Sequence, residues 1–148
     1  MTQPILKVCV VGNVGLPAYA TAGAAGLDLQ ASLSDKLVIH PGDRATIPTG
    51  IKIRIPEGYE GQMRPRSGLA SKHGIAMVNA PGTIDCDYTG EVHAILVNLG
   101  RESFTINPGD RIAQMIIAPV TRVETLRVET DGLGETERGE SGLGSTGR

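Results

Sequence analysis

Several short stretches of this chain alternate apolar and polar residues with a period of two, the pattern of strands that bury one face and leave the other wet. They run from Ile5 to Val11, Arg44 to Ile47, Ile51 to Ile55, Glu91 to Leu99 and Arg111 to Pro119. Turn signals separate them at close intervals: Pro41-Gly42, Pro48-Thr49-Gly50, Pro56-Glu57-Gly58, Pro81-Gly82, Thr89-Gly90, Leu99-Gly100 and Pro108-Gly109. Short strands between glycine- and proline-rich turns predict an all-β sandwich or barrel. PGDR occurs twice, at Pro41 to Arg44 and Pro108 to Arg111, each time ahead of a strand. Proline presets φ and glycine tolerates positive φ, so both segments suit type II turns, and shared turn chemistry explains the repeat. Only Ser67 to His73 reads as a helix, with Ser67 placed to cap its first turn.

Composition sharpens this picture. A chain of 148 residues fits one domain with a core of its own. It has 20 glycines, no tryptophan and a single phenylalanine, Phe104, so tight turns matter more than aromatic packing. The net charge of −2, with no run of Lys and Arg, argues against a nucleic-acid partner. Cys9 and Cys86 lie too far apart to frame a disulfide scaffold or a close-spaced zinc site, and a reducing cytoplasm is expected. No signal-like segment and no apolar run near the roughly 18 residues of a membrane span are present, so a soluble protein is expected. From Asp131 onward the chain is too polar and glycine-rich to bury a face. The expected organisation is a β domain over residues 1–130 and a flexible arm over residues 131–148.

Three segments carry candidate chemistry. Arg64 to Ala70 puts two guanidinium groups and a hydroxyl beside the expected helix start, which suits either an anion site or an ordinary cap with surface arginines. Asp85, Asp87 and Glu91 cluster in a hairpin around Tyr88; they could activate water or hold a divalent ion, and solvated turn residues are the plainer reading. Asp28 is a lone carboxylate in an otherwise apolar strand, a costly position unless paired or useful. His40, His73 and His93 show no ligand spacing and are expected at turns or strand surfaces. The sequence has no Walker phosphate loop, no HExxH and no zinc-deaminase signature. Phosphate handling by carboxylate, arginine and a metal ion remains.

Five of these segments, in order, resemble the motifs of the trimeric dUTPase family: AGLDLQA, PRSGLA, GTIDCDYTGEV, GDRIAQMI and RGESGLGSTG, spread from Ala25 to Gly147. The resemblance implies a distorted jelly-roll or β-barrel subunit with one short helix and a glycine-rich C-terminal arm. It further implies a homotrimer whose sites lie between subunits: the second and fourth motifs from one chain, the third from a neighbour, the arm from the remaining one. The implied reaction is hydrolysis of dUTP to dUMP and pyrophosphate with Mg²⁺, which supplies dUMP for thymidylate synthesis and keeps uracil out of DNA.

By the same resemblance, Asp85 corresponds to the general base, and Asp28 to the carboxylate that holds Mg²⁺ through water. Arg66, Ser67, Gly68 and Gln114 correspond to phosphate contacts. Asn79, Gly82, Thr83, Ile84 and Tyr88 correspond to the pocket for uracil and deoxyribose. Arg138, Leu143, Gly144, Ser145 and Thr146 correspond to the closing arm. Leu143 stands where the family usually has a phenylalanine that stacks on the base, and Ser141 replaces a frequent glycine; weaker lid closure is expected, since leucine covers by dispersion and cannot stack. A dCTP deaminase of related fold shares the arginine-serine segment, but the intact GTIDCDYTGEV stretch argues against it. A second role as a regulatory binding module stays open.

Overall fold

The structure, a computed structural model, describes residues 3–142, and over that range the chain forms eleven strands, one α-helix and one 3-10 turn. Strands β1 (Lys7–Val10), β5 (Arg44–Arg54), β9 (Glu91–Asn98) and β7 (Ile75–Met77) pair in the order β1-β5-β9-β7. Strands β2 (Ala18–Tyr19), β3 (Leu27–Gln30), β11 (Arg111–Pro119), β6 (Tyr59–Arg64) and β8 (Gly82–Ile84) form the five-stranded sheet β2-β3-β11-β6-β8. A small third ladder joins β4 (Leu37–Ile39) to β10 (Phe104–Ile106). The two large sheets enclose one core. It draws Ile47, Ile53, Val92, Ala94 and Leu96 from the first and Leu27, Leu29, Met63, Ile112 and Met115 from the second. Each fully buried Ile, Leu or Met contributes about 1.5–3 kcal/mol relative to exposure, so this apolar interior holds the sandwich together.

The expected alternation is present where it matters for function. In β3, Leu27 and Leu29 are buried while Asp28 and Gln30 are half-buried on the other face. In β9, Val92, Ala94, Leu96 and Asn98 point inward. Asn98 is wholly buried and fully bonded. Its amide nitrogen donates to the carbonyls of Ile39 and Glu102 at 2.9 and 2.8 Å, and its Oδ1 accepts from Gly100 N–H at 2.9 Å. Both PGDR turns form as expected: Asp43 N–H bonds His40 O at 3.0 Å and Asp110 N–H bonds Asn107 O at 3.1 Å, with Gly42 and Gly109 at φ of 85° and 83°.

Several local expectations need correction. Ser67 does not cap the helix. The cap position is Arg66, no side chain bonds the free amides there, and Ser67 is the first residue of α1 (Ser67–His73). The helix closes on Gly74, at φ 69°, whose N–H bonds Ala70 O. Pro48-Thr49-Gly50 is no turn either: it lies inside β5, where Thr49, Gly50 and Ile51 face the single residue Val92 of β9. Three polar groups of this bulge have partners. Thr49 Oγ1 donates to Val92 O at 2.7 Å, Gly50 N–H donates to the Glu91 carboxylate at 3.0 Å, and Gly50 O accepts from Val11 and Gly12. Local turn chemistry was outcompeted by β9 and by the segment that follows β1, which supply partners. Beyond Val120 the described chain to Gly142 is exposed throughout and forms no strand, with one 3-10 turn at Thr130–Leu133 that the sequence did not suggest. Leu143, Gly144, Ser145 and Thr146 lie outside the described residues.

Gly50 should be hard to replace. It sits at φ 70°, and an added Cβ would lie 2.8 Å from Ser32 and 2.9 Å from Val14. Gly58, at φ 84°, has open space around it. Gly58→Ala is expected to cost about 1 kcal/mol from backbone strain alone, and Gly50→Ala about 2 kcal/mol or more because overpacking adds to it. Urea unfolding of both variants measures the difference, and equal losses would contradict this reading of the bulge.

Candidate active site

The outer face of the five-stranded sheet gathers the polar residues that its inner face excludes. Asp28 on β3 is in register with Gln114 on β11, and Gln114 with Arg64 on β6. Asp28 is paired: its Oδ1 lies 3.4 Å from Arg66 Nε and its Oδ2 3.3 Å from Arg111 Nη1. Arg66 is fixed a second time by donating from Nη1 to Arg111 O at 3.0 Å. Gln114 Nε2 donates to Pro65 O at 3.0 Å, which ties β11 to the segment leading into α1. Gly26 permits this packing, because a Cβ there would sit 2.5 Å from Gln114 Oε1.

These side chains line an open pocket of about 330 Å³ with Ala24, Ser67 and Gly68. Arg66, Ser67, Gly68, Gln114 and Asp28 are thus brought together as expected. The Ser67 hydroxyl is not engaged in capping. With a helix of only seven residues, attraction for anions at this pocket comes mainly from the two guanidiniums.

Arg111 was missed by the sequence reading, and the reason is geometric. Strict alternation counted back from Gln114 would put position 111 on the inner face with Ala113. The β3–β11 ladder shifts register between Arg111 and Ala113, so Ile112 and Ala113 are buried in succession and Arg111 emerges on the outer face beside Asp28. Bulges commonly re-aim side chains in this way. A basic residue at the end of a PGDR turn was the one visible signal.

The second cluster occupies the hairpin after α1. Strand β8 pairs with β6, placing Thr83 opposite Gln62 and Gly82 opposite Met63. Asn79, Gly82, Thr83, Ile84, Asp85 and Tyr88 line a pocket of about 240 Å³, together with Met63, Glu91, Val92 and His93. Gly82 and Ile84 turn inward while Thr83 and Asp85 are exposed. Tyr88 is fixed by donating from its hydroxyl to Glu91 O at 2.9 Å. Glu91 is no free acid here, since its carboxylate caps the β5 bulge through Gly50 N–H. Asp87 is exposed and lines neither pocket.

The two pockets share no lining residue. Arg138 joins neither; it is exposed in the tail, its Nε donating to Ser141 O at 2.8 Å. His40 follows β4 and His93 is on the exposed side of β9, as expected, whereas His73 ends the helix α1 rather than lying at a turn or strand surface. Cys9 and Cys86 are free. Among the described residues no group of three or more His, Cys, Asp and Glu side chains could cage a metal ion, and no helix is long and apolar enough to cross a membrane.

By fold this is an all-β protein of jelly-roll type, with a cationic pocket on one sheet face and an acidic hairpin at its edge. The family profile for dUTPase matches residues 13–147, and the chain belongs to that family. It is 59% identical to the deoxyuridine 5'-triphosphate nucleotidohydrolase of Methylocella silvestris over 137 residues, covering 91% of this chain and 84% of the relative. It is 52% identical to the protein of the same name from Anaplasma marginale, covering 97% and 96% of the two chains. Among solved structures, a dUTPase of Staphylococcus bacteriophage 80alpha with dUpNHpp is similar at TM-score 0.83 and 28% identity, covering 97% of this chain and 99% of that one. A dUTPase of S. aureus phage phi11, described with a structural Mg(II) ion, is similar at TM-score 0.77 and 25% identity, covering 86% and 99%.

Tyr88 depends on the glycine beside it. A Cβ at Gly90 would sit 2.5 Å from the Tyr88 hydroxyl and 2.6 Å from its ring. Gly90→Ala is expected to swing the ring away from Glu91 O and cost about 1 kcal/mol through the lost hydrogen bond. Ring-labelled tyrosine NMR with urea unfolding checks this; an unmoved Tyr88 signal at unchanged stability would contradict the packing described.

Proposed function

We propose that the chain hydrolyses dUTP to dUMP and pyrophosphate in a homotrimer, each site combining the hairpin pocket of one subunit with the cationic pocket of another. The observation that carries this reading is the division of the chemistry: an exposed Asp85 beside a small amide-lined pocket, and an arginine-lined pocket that shares no residue with it. Neither half alone handles both ends of a nucleoside triphosphate. Membership of the dUTPase family and the similarity to a dUTPase with dUpNHpp support the substrate.

In this reading the hairpin receives uracil. The backbone amides and carbonyls around Gly82, Thr83 and Ile84, with the Asn79 side chain, pair with its polar edge. Cytosine presents the wrong donors and leaves site groups unpaired, which costs more than losing one contact. The narrow pocket rejects the thymine methyl, and Tyr88 under the deoxyribose obstructs a 2′-hydroxyl. Arg66, Ser67, Gly68 and Gln114 of the neighbouring subunit hold the phosphate chain. Asp85 accepts a proton from a water aimed in line at the α-phosphorus; the new P–O bond forms as the bond to the bridging oxygen breaks and pyrophosphate departs. Residues 131–148, including Arg138, Leu143, Gly144, Ser145 and Thr146, close over the bound triphosphate and pay their ordering cost only then.

A divalent ion fits this arrangement only in a particular way. Asp28 is the sole carboxylate of its pocket and both its oxygens are engaged by arginine, so no protein cage is on offer. Magnesium keeps much of its hydration and is commonly held by substrate phosphates, so Asp28 would reach it through coordinated water. Bound to the triphosphate, Mg²⁺ would supply charge neutralisation for the leaving group. The cytoplasm is the compartment consistent with two free cysteines.

Incubation with dUTP and Mg²⁺ in a pyrophosphate assay, with dCTP, dTTP and UTP alongside, tests the assignment. Turnover is expected with dUTP alone. Asp85→Asn should lower kcat at least about 100-fold while dUpNHpp binding is retained; near-normal turnover in that variant would remove Asp85 from the role of base.

A further inference from the structure

One backbone oxygen in the wall of the hairpin pocket serves two side chains. Glu91 O accepts from the Tyr88 hydroxyl at 2.9 Å and lies 3.0 Å from His93 Nδ1. A carbonyl oxygen only accepts, so Nδ1 carries the proton and the imidazole is the second donor. The Glu91 carboxylate is tied elsewhere, accepting from Gly50 N–H of the β5 bulge at 3.0 Å. Val92, the next residue, is buried in the core, and its own carbonyl accepts from Thr49 Oγ1 at 2.7 Å. The peptide between Glu91 and Val92 is therefore held by bulge and core together. Tyr88 is less confined: it is 46% exposed, and its hydroxyl ties it to that peptide. Glu91, His93 and Tyr88 all line the same pocket.

We infer that Glu91 and His93 are positioning residues that act through Tyr88, fixing its ring closely enough to tell a deoxyribose from a ribose. The inference rests on the dUTP reading above and deepens it by naming what holds the sugar gate in place. A gate that separates a hydrogen from a hydroxyl has to be set to within about 1 Å. A half-exposed phenol is placed that well only if the oxygen it bonds does not move. Glu91 supplies that oxygen and is anchored by its carboxylate to a different strand. His93 adds a second bond to the same oxygen, which resists rotation of the peptide when the Tyr88 hydroxyl pulls on it. The path from bulge to gate thus runs Gly50, Glu91, Tyr88, with His93 as a brace.

Steady-state hydrolysis of dUTP and UTP by the full-length protein reads the gate as the ratio of their kcat/KM values. His93→Leu keeps bulk and removes the donor, and the preference for dUTP is expected to fall about five- to ten-fold. His93→Asn presents a side-chain N–H near the place of Nδ1 and should restore most of the preference. Glu91→Ala should lower it at least as far, and Glu91→Gln, which keeps an oxygen for Gly50 N–H, should lower it less. Tyr88→Phe removes the hydroxyl that the brace serves, so adding His93→Leu to it should change the ratio no further. His93 is exposed on β9, so its variants are expected to stay folded even where Glu91→Ala does not, which thermal melts check. Equal losses with dUTP and UTP in His93→Leu, or an unchanged ratio, would overturn the inference. No recovery in His93→Asn would do the same, as would effects of His93→Leu and Tyr88→Phe that simply add. Absence of dUTP hydrolysis by the wild-type protein would instead sink the dUTP reading.

Discussion

The period-two alternation of the five-stranded sheet is the constraint on which the site depends. One face must be apolar to close the core over Leu27, Leu29, Met63 and Met115, and the other is then the only surface left for Asp28, Gln114 and Arg64. Neighbouring strands are about 4.8 Å apart, so the register across β3, β11 and β6 sets the spacing of those polar groups with little help from loops. Chemistry mounted on strands in this way is held more rigidly than chemistry on a loop.

Deviations from ideal strand geometry then finish the site. The bulge at Ile112 turns Arg111 outward, where regular pleating would have buried it. The wider bulge at Thr49–Ile51 draws in the Glu91 carboxylate, which leaves Asp85 as the exposed acid of the hairpin pocket. Glycine works at close approaches as well as at turns: Gly26 admits Gln114, and Gly90 admits the Tyr88 ring. Asp28 shows why a charge survives in an apolar strand. Its pairs are partly exposed and contribute about 1 kcal/mol or less each, so their worth lies in orientation rather than stability.

Much of this was legible in the sequence, and the omissions have physical causes. Alternation and turn residues gave the all-β class, both PGDR turns and the bounds of β11. The ordered motifs pointed to Asp28, Arg66, Ser67, Gly68 and Gln114 on one side and to the Asn79–Tyr88 hairpin on the other, and the structure groups them so. Short strands such as β4, β7 and β10, of three residues each, carry too little pattern to stand out. Pro48-Thr49-Gly50 looked like a turn because its stabilising partners, Val92, Glu91, Val11 and Gly12, are distant in sequence. Arg111 was hidden for the same reason, since a bulge is a property of two strands and only one of them is read at a time. The Ser67 cap failed because Arg66 already holds the cap position.

The central claim is that each chain carries two half-sites and that a working centre forms only where two chains meet. Subunit mixing tests it most directly. Asp85→Asn chains and Arg66→Gln chains, each inactive alone, would be co-expressed with different tags, and the mixed trimers isolated and assayed for dUTP hydrolysis. Sites shared between subunits predict that the isolated mixed trimers recover about a third of wild-type activity, because one of their three interfaces then pairs an intact hairpin with an intact cationic pocket. Mixed trimers as inactive as their parents would show that both halves must come from one chain, and would contradict the account.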